Sequence, residues 1–477
     1  MKSYAKTTIR RSNASVFRYD SAYSRRIQLE SAALCASLLA LIPSAGAQTA
    51  QSASTNAPST GTASTLPAFS FLPEKPAWLS DLSFTAKESY NDNIYGVSGD
   101  HEKEKSSWIS TFSPTLGLNL VPLFGDASVV QALSLGYNPE VNIFHNEPSQ
   151  NYTAHRLAQT VKVNAGAFSV SLDNGFNYID GSDKAPVYSG DDSSRSCYAT
   201  ALPRERLQQI QDRSKLAIQF DQDKYFVRLA ASLLYYDLMT DWSTESGYQN
   251  YVDRYDANGG VDFGYKVASN FAVTLGYRYG HQYQQTLSEA IDSKQLSATS
   301  DYNRVLLGVE GSPWKWLTLS AQGGPDFRSY DESAPVNDDN TITYYAEASA
   351  TANISDNDKL SLRYKQWRWV SSTGKVPIME SLYELGYKRK LTSQLAWDLT
   401  GRIQSSDYTC GNAGSTSLRN DYLYTLSTGL TFAVNRNLSF NVAYNLDLAR
   451  NAQNNAAEAP YREYDGNLVS VGTTIKW

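Results

Sequence analysis

The sequence predicts an all-β fold: a transmembrane antiparallel up-and-down β-barrel of eighteen strands, with sixteen as the alternative and both termini on the periplasmic side. Three observations carry that expectation. Apolar and polar residues alternate with period two from about Leu82 onward. Tight turns take turns with longer polar connections along the same stretch. Finally, no run of eighteen apolar residues exists, so any crossing of a bilayer must be made by strands. The composition agrees, because 33 Tyr, 16 Phe and 9 Trp against only 3 Met favour β-structure over packed helices.

In chain order, residues 1–47 read as an export signal. Arg10, Arg11, Arg18, Arg25 and Arg26 form a basic region ahead of "SAALCASLLALIP", which is too short to span a bilayer. Ala45, Gly46 and Ala47 offer a small-residue cleavage site before Gln48. The stretch around Arg25 and Arg26 loosely resembles a twin-arginine signal, but an ordinary basic region explains it as well. Cys35 follows Leu34 rather than a small residue, which argues against a lipoprotein signal. Residues 48–78 read as a low-complexity periplasmic leader, rich in Ala, Ser and Thr up to residue 66 and too poor in apolar surface to order itself. Residues 79–477 are left for the barrel. Residues 1–47 carry seven Lys or Arg and two Asp or Glu, so their removal takes the net charge from −6 to −11. An acidic exported chain excludes nucleic acid as a partner.

Within 79–477 the alternation is sustained. In 438–448, Leu438, Phe440, Val442, Tyr444, Leu446 and Leu448 share one face, and Ser439, Asn441, Asn445 and Asp447 share the other. The same holds for 168–176, 225–235, 271–279 and 395–403. The polar face carries charges in mid-strand, among them Arg228, Arg278 and Arg402. A packed core would not take these without dedicated partners. A hydrated lumen would. Apolar-out and polar-in alternation inverts the soluble pattern and marks a membrane barrel. Closure follows because backbone groups at membrane depth have no water to bond. Tight turns are expected at 123–127, 164–167, 221–224, 267–270, 311–316, 355–359, 391–394 and 434–437, interleaved with longer connections. The joins around 145–151 and 371–376 are weak, which keeps sixteen strands open. Trp108, Tyr178, Tyr235, Tyr236, Tyr279, Trp316, Trp367 and Trp369 fall near strand ends and suit aromatic girdles at the membrane interfaces.

The first strand reads "TAKESYNDNIYG". Its "SYNDNIY" (Tyr90, Asn91, Asp92, Asn93, Ile94, Tyr95) resembles the opening of the beta-barrel porin type 2 family of Gram-negative outer-membrane proteins. The motif is short, whereas the barrel pattern covers roughly residues 80–477. The resemblance implies either a porin or an accessory barrel for exopolysaccharide secretion; no residue here marks a polysaccharide site. The last stretch, "LVSVGTTIKW", resembles the assembly signal of outer-membrane barrels at Ser470, Gly472 and Trp477. It departs at Ile475, which is aliphatic where an aromatic is usual. The implied partners are outer-membrane lipid and the barrel assembly machinery.

No phosphate loop, metal-ligand spacing or nucleophile elbow occurs, so no cofactor, metal or catalytic residue is expected. His101, His145, His155 and His281 are scattered, and the acidic runs 190–192 and 336–340 lack the oxygen spacing of a Ca²⁺ loop. Strand phase names the pore-lining candidates Arg228, Arg278, Arg363, Lys365, Glu384, Asp398, Arg402 and Asp447. Both signs are present, which argues against strong anion or cation selectivity. Mutual ion pairing is the competing explanation for many of them. Arg363 and Lys365, followed by "QWRW", read as a basic and aromatic patch, with an interface girdle as the other reading of Trp367 and Trp369. Cys197 and Cys410 fall in loops nearly opposite one another in an eighteen-strand ring. A disulfide lid across the mouth and two free thiols both stay open. The functional expectation is passage of small polar solutes or sugars through a mixed-charge lumen, without catalysis. Polysaccharide export and a non-conducting adhesin or structural barrel are the alternatives.

Overall fold

A computed structural model describes residues 74–96, 104–124, 129–181, 208–239, 253–285, 297–332, 334, 339–370, 377–408, 419–451 and 463–477. Cys197, Cys410, His101, the run 190–192, most of 336–340 and the whole of the expected signal lie outside the described residues. The chain forms eighteen antiparallel strands: β1 (Leu79–Asn91), β2 (Ser107–Asn119), β3 (Val130–Phe144), β4 (Tyr152–Ala165), β5 (Phe168–Asp180) and β6 (Gln208–Gln222). Next come β7 (Tyr225–Asp237), β8 (Arg254–Ala268), β9 (Phe271–Gln284), β10 (Ser300–Trp314), β11 (Leu317–Tyr330) and β12 (Asn340–Asn353). The last six are β13 (Asp358–Val370), β14 (Pro377–Lys390), β15 (Leu395–Tyr408), β16 (Arg419–Ala433), β17 (Leu438–Asn451) and β18 (Tyr464–Lys476).

Each strand pairs with its neighbours in sequence, and β1 also pairs with β18, so the sheet closes on itself. Closure is in register from Ser83 opposite Lys476 to Asn91 opposite Leu468. The Trp477 amide then donates to the Leu82 carbonyl at 2.8 Å, and the Thr85 and Thr474 hydroxyls meet at 2.9 Å. Sheet closure removes both edges, the condition a strand barrel must meet in hydrocarbon. The eight expected tight turns are the connections on the side where β1 begins and β18 ends. The short joins 145–151 and 371–376 both separate strands, which settles the count at eighteen rather than sixteen. The first of them contains a 3-10 turn, Pro148–Gln150.

Several turns are shorter than expected, the one at 311–316 by the most. β10 runs on through a bulge to Trp314, leaving only Lys315 and Trp316 as the turn where 311–316 was expected. Gly311 makes this possible: its φ is +125°, and a Cβ there would collide with the Asn270 carbonyl. Trp314 and Trp316 stack at 5.8 Å over the shortened hairpin.

Strand phase follows the alternation. Leu229, Leu275, Leu307 and Val471 are 54–65 % exposed on the outer face, whereas Ser470, on the opposite phase of β18, is 4 % exposed. The outside is therefore an apolar belt and the inside is polar, the reverse of a soluble barrel. Three residues depart from the expected girdles. Tyr236, Trp367 and Trp369 border the interior cavity, and Trp369 is only 5 % exposed. Their position near strand ends is right. Their phase is inward.

Candidate functional site: a divided lumen

The lumen is filled on one side by the stretch that follows β1. The Asn93 amide donates to the Asn91 side chain at 2.9 Å, which bends the chain out of the sheet. The Asp92 carboxylate then receives the Asn467 amide and side chain, both at 2.7 Å. Asn93 donates from its side chain to the Asp465 carbonyl at 3.0 Å. These bonds anchor the turn to β18 and deliver Ile94 into an apolar cluster with Ile109, Phe144, Tyr152, Ala154 and Ile179. All five partners sit on inward positions of β2–β5 near the long-connection end. Tyr95 packs against the cluster and Lys105 lies 5.5 Å over its ring. Gly96 ends the turn with φ +59°, close against the Tyr464 ring. The "YNDNIYG" stretch thus forms a stopper within the barrel mouth.

A second insertion comes from the opposite wall. β12 and β13 pair only between Asn353–Lys359 and Ala346–Gln366, while β13 and β14 stay paired out to Val370–Pro377. Beyond Gln366, β13 leaves β12 and leans across the lumen towards β8 and β9. The Arg254 guanidinium donates to the Val370 carbonyl at 2.5 Å and lies 5.0 Å from both the Tyr236 and Trp369 rings. Gln282 donates to the Arg368 carbonyl at 3.2 Å. Arg368 belongs to the outward phase of β13, yet it is 7 % exposed and donates to the Tyr330 hydroxyl at 3.0 Å. Because the strand end has peeled inward, both of its faces are inside.

Behind this insertion the β8–β11 wall carries a closed polar network. Asp326 receives Arg304 at 2.7 Å and Arg328 at 3.1 Å. Arg328 also donates to Gln282 at 2.8 Å and to Ser300 at 3.1 Å. Asp256 receives the Tyr302 hydroxyl at 2.7 Å and Gln282 at 3.0 Å. The Arg304 guanidinium lies between the Tyr302 and Tyr345 rings, at 4.0 and 4.5 Å. None of these groups is among the eight pore-lining candidates named from the sequence. Applying the same phase to β8 and β11 would have named Arg254, Asp256, Asp326 and Arg328 as well; only the inward turn of Arg368 had no local signal.

Beside the β13 insertion, bordered by Trp367 and Trp369, lies a cavity of about 1820 Å³. Six of the eight pore-lining candidates border it: Arg228, Arg278, Arg363, Lys365, Glu384 and Arg402. Asp398 and Asp447 keep the inward phase but lie outside its lining; Asp447 accepts from Thr425 at 2.6 Å. The candidates divide into two sets. Arg228 forks onto Glu310 at 2.8 and 2.9 Å and bonds Asp262 at 3.0 Å, and Arg278 reaches Asp262 at 2.7 Å. This is mutual neutralisation. Arg363, Glu384 and Arg402 are direct register neighbours across β13, β14 and β15, but among the described residues no ion pair joins them. Lys365 sits 4.3 Å over the Trp367 ring, so the sequence-predicted basic and aromatic patch is present and faces the cavity. The terminal residues lie apart from it. Ser470 and Gly472 are buried on the inner phase of β18, Ile475 is 50 % exposed on the outer phase, and Trp477 closes against Leu82.

The histidines sit elsewhere. His281 bonds Asp301 at 2.9 Å on the outer face. His145 meets Ser110 at 2.8 Å, and Ser110 meets Glu88 at 2.6 Å, again on outward phases. Glu88 approaches the same histidine nitrogen that faces the serine, at 3.5 Å. The acid therefore competes for the serine rather than orienting the far side of the ring, which is not a nucleophile relay.

No protein-family model matches this chain, and no curated protein matches it. Solved structures do. The outer membrane protein OpdK of Pseudomonas aeruginosa is similar at 12 % identity, covering 83 % of this chain and 99 % of its own, with a TM-score of 0.39. OccK2 (OpdF) of the same organism, solved with glucuronate, matches at 12 % identity over 84 % of this chain and 100 % of its own, TM-score 0.39. The ferric-catecholate import receptor Fiu of E. coli K12 matches at 10 % identity over 83 % and 82 %, TM-score 0.36.

Proposed function

We propose that this chain is an outer-membrane porin whose lumen passes small polar solutes, with the hollow, charged side of the barrel as the route. The observation that carries this reading is the combination of a closed sheet, an apolar outer belt and a cavity of about 1820 Å³ walled by charged side chains. A wall of fixed charges and hydroxyls replaces part of a solute's hydration, while the two insertions narrow the cross-section without filling it. The belt is the lipid contact. With the tight-turn end towards the periplasm, both termini face that side, and residues 1–47 serve as the export signal. Ser470, Gly472, Ile475 and Trp477 are then the residues the assembly machinery reads on the closing strand. The Cys197–Cys410 disulfide that the sequence leaves open is tested by mass analysis with and without reductant.

The mechanism is diffusive and needs no catalytic group. Arg228, Asp262, Arg278 and Glu310 form a neutralised, rigid stretch of wall, whereas Arg363, Lys365 and Arg402 present charge to the passing solute. Purified protein in planar bilayers is expected to give stable, ohmic single-channel steps in potassium chloride. Well-folded protein that inserts and conducts nothing would overturn the porin reading.

A further inference from the structure

On the cavity wall basic side chains outnumber acidic ones, although the chain as a whole carries a formal charge of −6. The excess is not spread evenly. Arg228 on β7 and Arg278 on β9 are matched by Asp262 and Glu310 within 3.0 Å. Lys215 on β6, Arg363 and Lys365 on β13 and Arg402 on β15 line the same cavity, and among the described residues no ion pair joins any of the four to a carboxylate. Lys215, Lys365 and Arg363 all act electrostatically on Glu347, which places the β6 lysine across the lumen from β12 and β13. Glu347 is itself engaged by the Tyr345 hydroxyl at 2.7 Å. Arg402 makes one long bond to Gln404, at 3.3 Å, and its buried Nε has no hydrogen-bond partner among the described residues.

An unmatched guanidinium facing a hollow is costly unless something of opposite charge comes to it. Its forked donors fit a carboxylate in two parallel bonds. Trp367, capped on one side by Lys365, adds an aromatic face next to these donors. The volume exceeds the roughly 300–1,000 Å³ of ordinary small-molecule pockets, leaving room for a sugar-sized molecule together with water. We infer that Lys215, Arg363, Lys365 and Arg402 form a binding subsite for the carboxylate of a small, sugar-sized organic acid, with Trp367 against its ring. The inference rests on the porin reading only for how the acid reaches the site; binding itself does not depend on passage.

Calorimetric titration of the detergent-solubilised protein tests it with galacturonate, galactose and inorganic phosphate. Galacturonate and galactose differ only in the carboxylate. Galacturonate should bind at least ten-fold more tightly than either competitor and weaken as salt is raised. R363Q/R402Q should lose ten-fold or more of that affinity, and the charge-preserving R363K/R402K should lose less. K215Q, on a separate strand, should weaken binding on its own and serves if the double variant does not fold. Equal binding of galactose, equal binding of phosphate, or no galacturonate binding by native protein overturns the carboxylate assignment. Bilayer recordings separate the two readings: binding without conductance sinks passage and keeps the site, while conductance without binding keeps passage and sinks the site.

Discussion

At the long-connection end of β2–β5 the inward positions carry Ile109, Phe144, Tyr152, Ala154 and Ile179, and the chain itself fills the space between them with Ile94. On β6–β15 the inward positions carry Lys215, Arg228, Asp262, Arg278, Arg363 and Arg402, and the space stays hollow. Strand geometry is the same in both regions, so the difference lies in the side chains alone. Where the inner face is apolar, water gains nothing by entering and the barrel packs a local core. Where it is charged, removing water from the wall would cost several kcal/mol per ion, so the wall stays hydrated. A barrel of this size need not be uniformly open. Its inner sequence decides which arc is core and which is hollow.

The comparison can be broken most severely where the two regimes meet, in the buried network behind the β13 insertion. Arg328→Ala removes one of two cations from Asp326, which is 1 % exposed, and leaves Gln282 short of a donor. Loss of about 3–5 kcal/mol is expected, read as a lower midpoint in urea unfolding of the detergent-solubilised barrel. An unchanged midpoint would mean the network is solvated rather than buried.

Next in size is the stopper. Ile94→Ala should cost about 2–4 kcal/mol, because the side chain is 3 % exposed within an apolar cluster. Unitary conductance should stay within two-fold of the native value, since the cluster lies away from the hollow arc; a large conductance rise would show that the stopper limits the pore.

Arg228→Gln sits in the hollow region and should be milder. Asp262 keeps Arg278 at 2.7 Å, but Glu310 loses its forked partner. About 1–3 kcal/mol is expected, together with a reversal potential shifted towards cations in asymmetric salt. A shift towards anions would contradict the placement of Glu310 on the conducting wall.

The smallest effect belongs to an exposed pair. Arg450 meets Asp465 at 2.6 Å with both side chains 41–58 % exposed. Asp465→Asn should change stability by under about 1 kcal/mol, and a larger loss would mean that this rim is covered by more of the chain.

The barrel was legible in the sequence because its signal is local. Period-two alternation, such as Leu438 to Leu448, reports phase strand by strand, and eight tight turns report the count. The same phase put Arg228, Arg363 and Arg402 on the inner face. What the alternation could not report was departure from the wall. Trp367 and Trp369 share the inward phase of Arg363 and Lys365 and look like girdle residues only because they fall near a strand end, whereas Arg368 has an outward phase. Only the loss of β12 pairing beyond Gln366, a contact between distant strands, carries Arg368 inside. Likewise "YNDNIYG" was visible as a motif, but its role needs the closed ring: Asp92 finds Asn467 and Ile94 finds Phe144 only once β18 and β3 stand beside β1 and β2.

The central claim is that solutes pass along the charged arc and not through the apolar one. Single cysteines at Ser349, on the cavity wall, and at Thr111, on the inner face of β2, test it directly in a background with Cys35, Cys197 and Cys410 replaced by serine. A negatively charged thiosulfonate reagent added during bilayer recording should reduce the current of Ser349→Cys within minutes and leave Thr111→Cys unchanged. Block at Thr111→Cys with none at Ser349→Cys would contradict the account.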